Sequence, residues 1–175
     1  MPTVPTTVNA TAAALLGLLH EGPRTGGQLV AEAGERFGAF FSVTRSQIYR
    51  ELPVLADAGL TKPGEPGPRA SRKYAITAAG RRAFKAWLTA GSGTDALRSP
   101  LVLRLLHARW LAADDRDELV RSARDAYRER LATERAAVRA AQDPVERAVA
   151  EFAVGHTRAV LKLLDAVSEA CQQSA

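Results

Sequence analysis

Alanine and leucine set the first rhythm of the chain. Ala12, Leu15, Leu16, Leu18 and Leu19 recur at helical spacing between about Val8 and His20. Asn9 or Thr7 is placed to cap that helix, and Gly22-Pro23 ends it, because proline cannot continue a helix and glycine serves the exit. A second, short helix is predicted from about Thr25 to Arg36, with Leu29, Val30 and Ala33 inward and Gly26 and Gly27 weakening its first turn. A turn, Phe37-Gly38-Ala39-Phe40-Phe41, leads into Thr44-Arg45-Ser46-Gln47, which has the form of a capping box. The helix it opens carries Ile48, Leu52, Leu55 and Ala56 on one face and stops at Ala58-Gly59. Pro53 lies inside it and is expected to kink or bend it.

The period then changes. Leu60-Thr61-Lys62 and Arg72 to Thr77 flank a Gly/Pro-rich stretch, and Tyr74 and Ile76 alternate onto one face. That pattern predicts a β-hairpin with a long basic tip. Thr77 caps a further helix, Ala78 to about Thr89, whose apolar residues are Phe84, Trp87 and Leu88. Residues 1–90 thus read as one domain and 91–98, beginning Gly91-Ser92-Gly93, as a linker. Residues 99–175 form a second, helical domain. Its first helix starts at Ser99-Pro100 and carries Leu101, Val102, Leu105, Leu106, Trp110 and Leu111. A long helix capped by Asp114 reaches about Ala141, and Asp143-Pro144 starts another. In this last helix Val145, Val149, Phe152, His156, Val160, Leu163 and Val167 recur at spacings of 4, 3, 4, 4, 3 and 4, a stripe like that of a coiled coil. The fold class expected is mainly α with a small β-hairpin wing: a winged helix-turn-helix joined to a C-terminal helical dimerisation domain.

Charge divides along the same boundary. Residues 1–90 hold 11 Lys/Arg against 6 Asp/Glu, and residues 91–175 hold 13 of each, so the net +5 sits wholly in the first domain. A basic domain joined to a neutral one fits a module for polyanions plus an assembly module. In a winged helix the third helix enters the major groove and the wing follows the phosphates. The candidate contacts to double-stranded DNA are therefore Thr44, Arg45, Ser46, Gln47, Tyr49 and Arg50 on the third helix, with Arg69, Arg72 and Lys73 on the wing. Arginine suits guanine and glutamine suits adenine, whereas the wing cations would position without specifying. A solvated basic surface, or an adaptor that docks proteins through the same fold, is the alternative.

Residues 12–88 also resemble the PadR family of regulators. The resemblance is carried by Leu15-Leu16-Gly17-Leu18-Leu19 with Gly22-Pro23, by Gln47-Ile48-Tyr49-Arg50-Glu51-Leu52, by Leu55 with Ala58-Gly59-Leu60, and by Arg72-Lys73-Tyr74-Ala75-Ile76-Thr77 with Gly80. It implies a dimeric repressor, with Tyr49 and the basic wing at the DNA and C-terminal helices for dimerisation. Gly27 stands where the family often has an aromatic residue, and Arg50 where it often has proline.

The stripe of the last helix suits a homodimer matched to a palindromic operator. Burial within a single-chain hairpin is the alternative. His156, on the stripe, reads as a satisfied interface residue, with a pH-sensitive one as the alternative. Trp87 and Trp110 are candidate effector-binding residues for a small aromatic or drug-like molecule, against the plainer reading that both indoles are core. His20, His107 and His156 are isolated, and no Cys/His spacing suggests a metal. No phosphate loop, nucleophile elbow or His-Glu-x-x-His sequence occurs, so neither a cofactor nor an enzyme is expected. The absence of a membrane-length apolar run or a signal peptide, together with the lone Cys171, fits a bacterial cytoplasmic protein at the nucleoid.

Overall fold

The computed structural model describes residues 8–67, 71–91, 94 and 97–173. The chain divides into two compact units, Met1–Gly93 and Thr94–Ala175. Of the linker stretch 91–98, residues 92, 93, 95 and 96 lie outside the described residues.

The first unit is built round its most apolar segment. Helix α1 (Ala10–Leu19) starts at Asn9, whose Oδ1 accepts the Ala12 N–H at 2.8 Å. Its Leu15, Leu16, Leu18 and Leu19 are all buried, so the helix is apolar nearly all round and sits at the centre. Each of these leucines contributes roughly 1.5–3 kcal/mol of transfer free energy. Helices α2 (Gly26–Phe37) and α3 (Arg45–Asp57) pack on it through Leu29, Ala33, Ile48, Leu52 and Leu55. Both open with a reciprocal capping box, Thr25 with Gln28 and Thr44 with Gln47. Helix α3 runs through Pro53 without a break. Pro53 is exposed, so the backbone bond it cannot make to the Tyr49 carbonyl is lost on the solvent side. The helix ends in a Schellman turn: Gly59 takes φ +70°, its N–H donates to Ala56 O, and the Leu60 N–H donates to Leu55 O, both at 2.9 Å.

The hairpin pairs β2 (Thr61–Pro66) with β3 (Arg72–Ile76), antiparallel, with Thr61 opposite Ile76 and Pro63 opposite Tyr74. Two features were not anticipated. Residues Pro63–Pro66 belong to a strand rather than to the tip, and the two-residue β1 (Arg24–Thr25) adds a third strand in the order β1-β3-β2. The prolines are tolerated because β2 is an edge, where a missing N–H costs no ladder bond. Tyr74 and Ile76 close the core beneath the sheet. Helix α4 (Ala78–Thr89) follows at once. Thr77 Oγ1 accepts the Gly80 N–H at 3.0 Å and donates to Gly59 O at 2.7 Å, and the Thr77 N–H donates to Leu60 O at 3.0 Å. Gly80 permits this: a Cβ there would run into the Leu60 carbonyl oxygen.

In the second unit Ser99 caps α5 (Pro100–Leu106), its Oγ accepting the Val102 N–H at 3.3 Å. The helix stops earlier than its apolar pattern suggested, and Ala108–Trp110 forms a separate 3-10 turn. Helix α6 (Ala113–Ala140) starts with Ala112 at its cap, so Asp114 lies in the first turn with Asp115, where both carboxylates complement the helix dipole. Asp143 Oδ1 accepts the N–H groups of Val145 and Glu146 at 2.8 and 3.0 Å, starting α7 (Pro144–Gln173). The short connection folds α7 back along α6. Val120, Val160 and Leu164 form their shared core, and Arg124 bridges to Asp165 and Ser168. The expected class, a winged helix-turn-helix with a C-terminal helical region, is the fold observed.

Candidate nucleic-acid interface

The solvent side of α3 and the outer part of the wing carry the charge that the core excludes. Thr44, Arg45, Ser46, Tyr49 and Arg50 are exposed on α3, and Arg72 and Lys73 on β3. Arg69 lies outside the described residues. Among the described residues, Arg45, Arg50, Arg72 and Lys73 have no carboxylate within salt-bridge distance, whereas Arg24 is held by Glu32 at 2.7 Å and Arg36 pairs with Glu21. Arg82 and Lys85 on α4 and several exposed cations in the second unit likewise have no carboxylate partner among the described residues, so it is their position on the third helix and wing that singles out Arg45, Arg50, Arg72 and Lys73. Strand alternation points Arg72 and Lys73 to opposite faces. Lys73 shares its face with Lys62, which is also exposed and has no carboxylate partner among the described residues; sequence reasoning passed over Lys62 because it precedes the glycine-rich stretch.

Helix α3 presents its first turn in a fixed form. Thr44 Oγ1 accepts the Gln47 N–H at 3.3 Å and lies 3.1 Å from Ser46 Oγ. Gln47 Oε1 accepts both the Thr44 N–H, at 2.8 Å, and the Thr44 hydroxyl, at 2.9 Å. Its acceptor is thus turned into the cap. The Arg45 guanidinium lies over the Tyr49 ring, 5.3 Å from its centroid. The ring rests against Gly26, where an added Cβ would come within 2.9 Å of Cζ. Thr44, Arg45, Ser46 and Tyr49 line one open depression; Thr25, Gly64, Glu65, Gly67, Ser71 and Lys73 line a second beneath the wing. The Thr25–Gly26 junction joins the two regions, since Thr25 pairs with Lys73 and Gly26 touches Tyr49. Nothing in the sequence spacing pointed to that junction.

The other nominated residues lie elsewhere. Trp87, on α4, is 40% exposed and stacks on Phe84 with ring centroids 6.4 Å apart. Trp110 is 76% exposed, with Arg109 over its ring. Neither indole is a core residue within its own unit. On α7 the stripe separates into two parts. Val160 is buried against α6 and Val167 packs beside it, whereas Val145, Val149, Phe152 and Leu163 are exposed and His156 is half-buried. The exposed set lies roughly a quarter turn round the helix from the face that meets α6, at about 100° per residue. Among the described residues no group of His, Cys, Asp or Glu is gathered to hold a metal ion, and no helix is long and apolar enough to cross a membrane.

Three helices, the third capped and carrying exposed arginines, and a basic hairpin in this order define a winged helix-turn-helix. Residues 15–86 match the model of the Transcriptional regulator PadR-like family, so this domain is similar to the domain that defines it. Over 78 residues it is 35% identical to the Negative transcriptional regulator PadR of Bacillus subtilis, a match spanning 43% of each chain. Similar folds extend further. A PadR-like transcriptional regulator from Bacillus cereus is 20% identical with a TM-score of 0.77, covering 94% of this chain and 99% of that one. Bacillus subtilis PadR in complex with operator DNA is 20% identical with a TM-score of 0.73, covering 91% and 97%. The same protein in complex with p-coumaric acid is 20% identical with a TM-score of 0.69, again covering 91% and 97%.

Proposed function

We propose that this chain is a sequence-specific DNA-binding transcriptional regulator, a repressor that binds a palindromic operator as a homodimer. The observation that carries the reading is that Arg45, Arg50, Arg72 and Lys73, on the third helix and wing of a PadR-like domain, are exposed and have no carboxylate partner among the described residues. Arg45, Ser46, Tyr49 and Arg50 meet the major groove, Thr44 and Gln47 hold the helix start, and Arg69, Arg72 and Lys73 follow the phosphates. Repression is supported by the negative regulator to which the first domain is similar. In this reading residues 1–90 bind DNA and residues 99–175 assemble the dimer, with 91–98 between them. The exposed Val145, Val149, Phe152 and Leu163, beside His156, share one side of α7 and are the surface a second copy would cover. Val160 and Val167 would support that stripe from the α6 side. The protein would work in the bacterial cytoplasm, at the nucleoid.

Release by a small aromatic or drug-like effector belongs to the same proposal, with Trp87 and Trp110 as its contacts and its reporters. The support is the p-coumaric acid bound by Bacillus subtilis PadR and the exposure of both indoles here. Selection of genomic fragments by the purified protein, including the region upstream of its own coding sequence, tests the DNA reading. One enriched palindromic fragment is expected, and retention of no fragment above background contradicts it. Light scattering at micromolar concentration should give twice the 18.7 kDa chain mass, and a stable monomer removes the dimer.

A further inference from the structure

Two side chains of α3 suit base recognition by type, but only one is placed for it. A bidentate adenine contact needs the amide oxygen and nitrogen of glutamine together. Gln47 Oε1 is already engaged by the Thr44 N–H and hydroxyl, at 2.8 and 2.9 Å, so the pair of groups does not face outward. Arg45, the first residue of α3, is exposed and has no carboxylate partner among the described residues. Its guanidinium is held 5.3 Å from the centroid of Tyr49, one helical turn on. That ring is in turn seated on Gly26 of α2, with only 2.9 Å between its Cζ and the place a Cβ would occupy.

Resting on the DNA reading above, we propose that Arg45 is the specificity-determining residue of this chain, reading a guanine in each operator half-site. Tyr49 and Gly26 are the positioning pair that fixes its guanidinium. A long arginine side chain loses rotamer freedom when it binds, and stacking it beforehand lowers that cost. The planar fork keeps its N–H edge for guanine O6 and N7 while one face lies toward the ring. This role uses the ring of Tyr49 and not its hydroxyl. Gln47 acts through the cap, so its loss would weaken the helix start and not change which base is preferred.

The test uses the full chain and its selected operator fragment, with a random duplex of equal length as reference. Arg45→Ala should lower the ratio of operator to random affinity by about 5- to 150-fold, the range that one good arginine–guanine pair supplies. Replacing one half-site guanine with 7-deazaguanine should weaken the unaltered protein and leave Arg45→Ala unchanged. Tyr49→Phe, which keeps the ring, should lower the ratio less than Tyr49→Ala does. Tyr49→Ala should lower it, and Gly26→Ala should lower it while random-duplex affinity stays within about twofold, with circular dichroism melts confirming folded protein. Equal loss of both affinities in Arg45→Ala would make Arg45 a phosphate contact and overturn the inference. So would a fall in the ratio for Gln47→Ala, or for Tyr49→Phe as large as for Tyr49→Ala. If the unaltered protein prefers no fragment at all, the DNA reading itself fails.

Discussion

A single methyl group placed at two glycines should change stability in opposite directions. At Gly80 an added Cβ runs into the Leu60 carbonyl oxygen and lies 2.9 Å from Ile76 Cγ1 and 3.1 Å from the Leu60 carbonyl carbon. Backbone cannot give way cheaply here, because the same carbonyl accepts the Thr77 N–H at 3.0 Å and Thr77 caps α4 through the Gly80 N–H. Relief requires α4 to move off β2. Overpacking costs typically 1–3 kcal/mol. Weakening the two hydrogen bonds at this junction adds about 1 kcal/mol each. The helix propensity gained by alanine offsets at most about 1 kcal/mol. Gly80→Ala should therefore destabilise the first unit by about 2–4 kcal/mol. At roughly 4–8 °C per kcal/mol for a unit of this size, Tm should fall by about 10 °C or more. Gly34 is the control: it is exposed, lies inside α2, has no positive φ, and a Cβ there meets nothing within 4 Å. Gly34→Ala should stabilise by about 0.5–1 kcal/mol. Thermal melts followed by circular dichroism measure both. An unchanged or raised Tm for Gly80→Ala would refute the argument from close approach.

Pro53→Ala restores an N–H for the Tyr49 carbonyl in a helix already continuous through that position, and should raise stability by about 2 kcal/mol in urea unfolding. Glu21 has its pKa held below the usual 4.5, chiefly by the hydrogen bond from Arg36; burial opposes this, and the charges of Arg36 and Arg24 add to the lowering. A lowered folded-state pKa means this contribution is present above the unfolded carboxylate value and is lost as pH falls through the folded one. The pair is exposed, so the loss is a few tenths of a kcal/mol. An NMR titration should show the Glu21 midpoint rising in Arg36→Ala. Substituting Phe152→Asp should leave the α6–α7 core intact and convert a dimer to monomer, read by light scattering.

Much of the fold was legible because its signals are local. The Thr44–Gln47 box, the Ser99 cap, the Gly59 exit and the Asp143-Pro144 start all depend on residues within one turn of each other, and each stands where the sequence put it. The features missed depend on contacts between elements. A two-residue strand such as Arg24–Thr25 has no periodicity to detect, and it forms only because β3 offers a partner. Pro63 and Pro66 resemble turn residues until β2 is known to be an edge. The stripe of α7 has a correct helical period, but period alone cannot divide two adjoining faces, and it is α6 that takes Val160 and Val167. At the candidate interface the residue types were readable and their directions were not. Gln47 serves a cap or a base equally well on paper, and the seat of Tyr49 on Gly26 spans two helices.

The central claim is that the cations of α3 and the wing bind DNA. It is tested most directly by the affinity of the purified chain for its selected fragment, followed by fluorescence anisotropy from 50 to 200 mM salt. With several phosphate contacts, log K should fall linearly with log salt at a slope near −0.9 per contact. The doubly substituted Arg72→Ala, Lys73→Ala protein should bind all sequences more weakly and with a slope about two units shallower. Binding that ignores salt, or an unchanged slope in the double variant, would contradict the account.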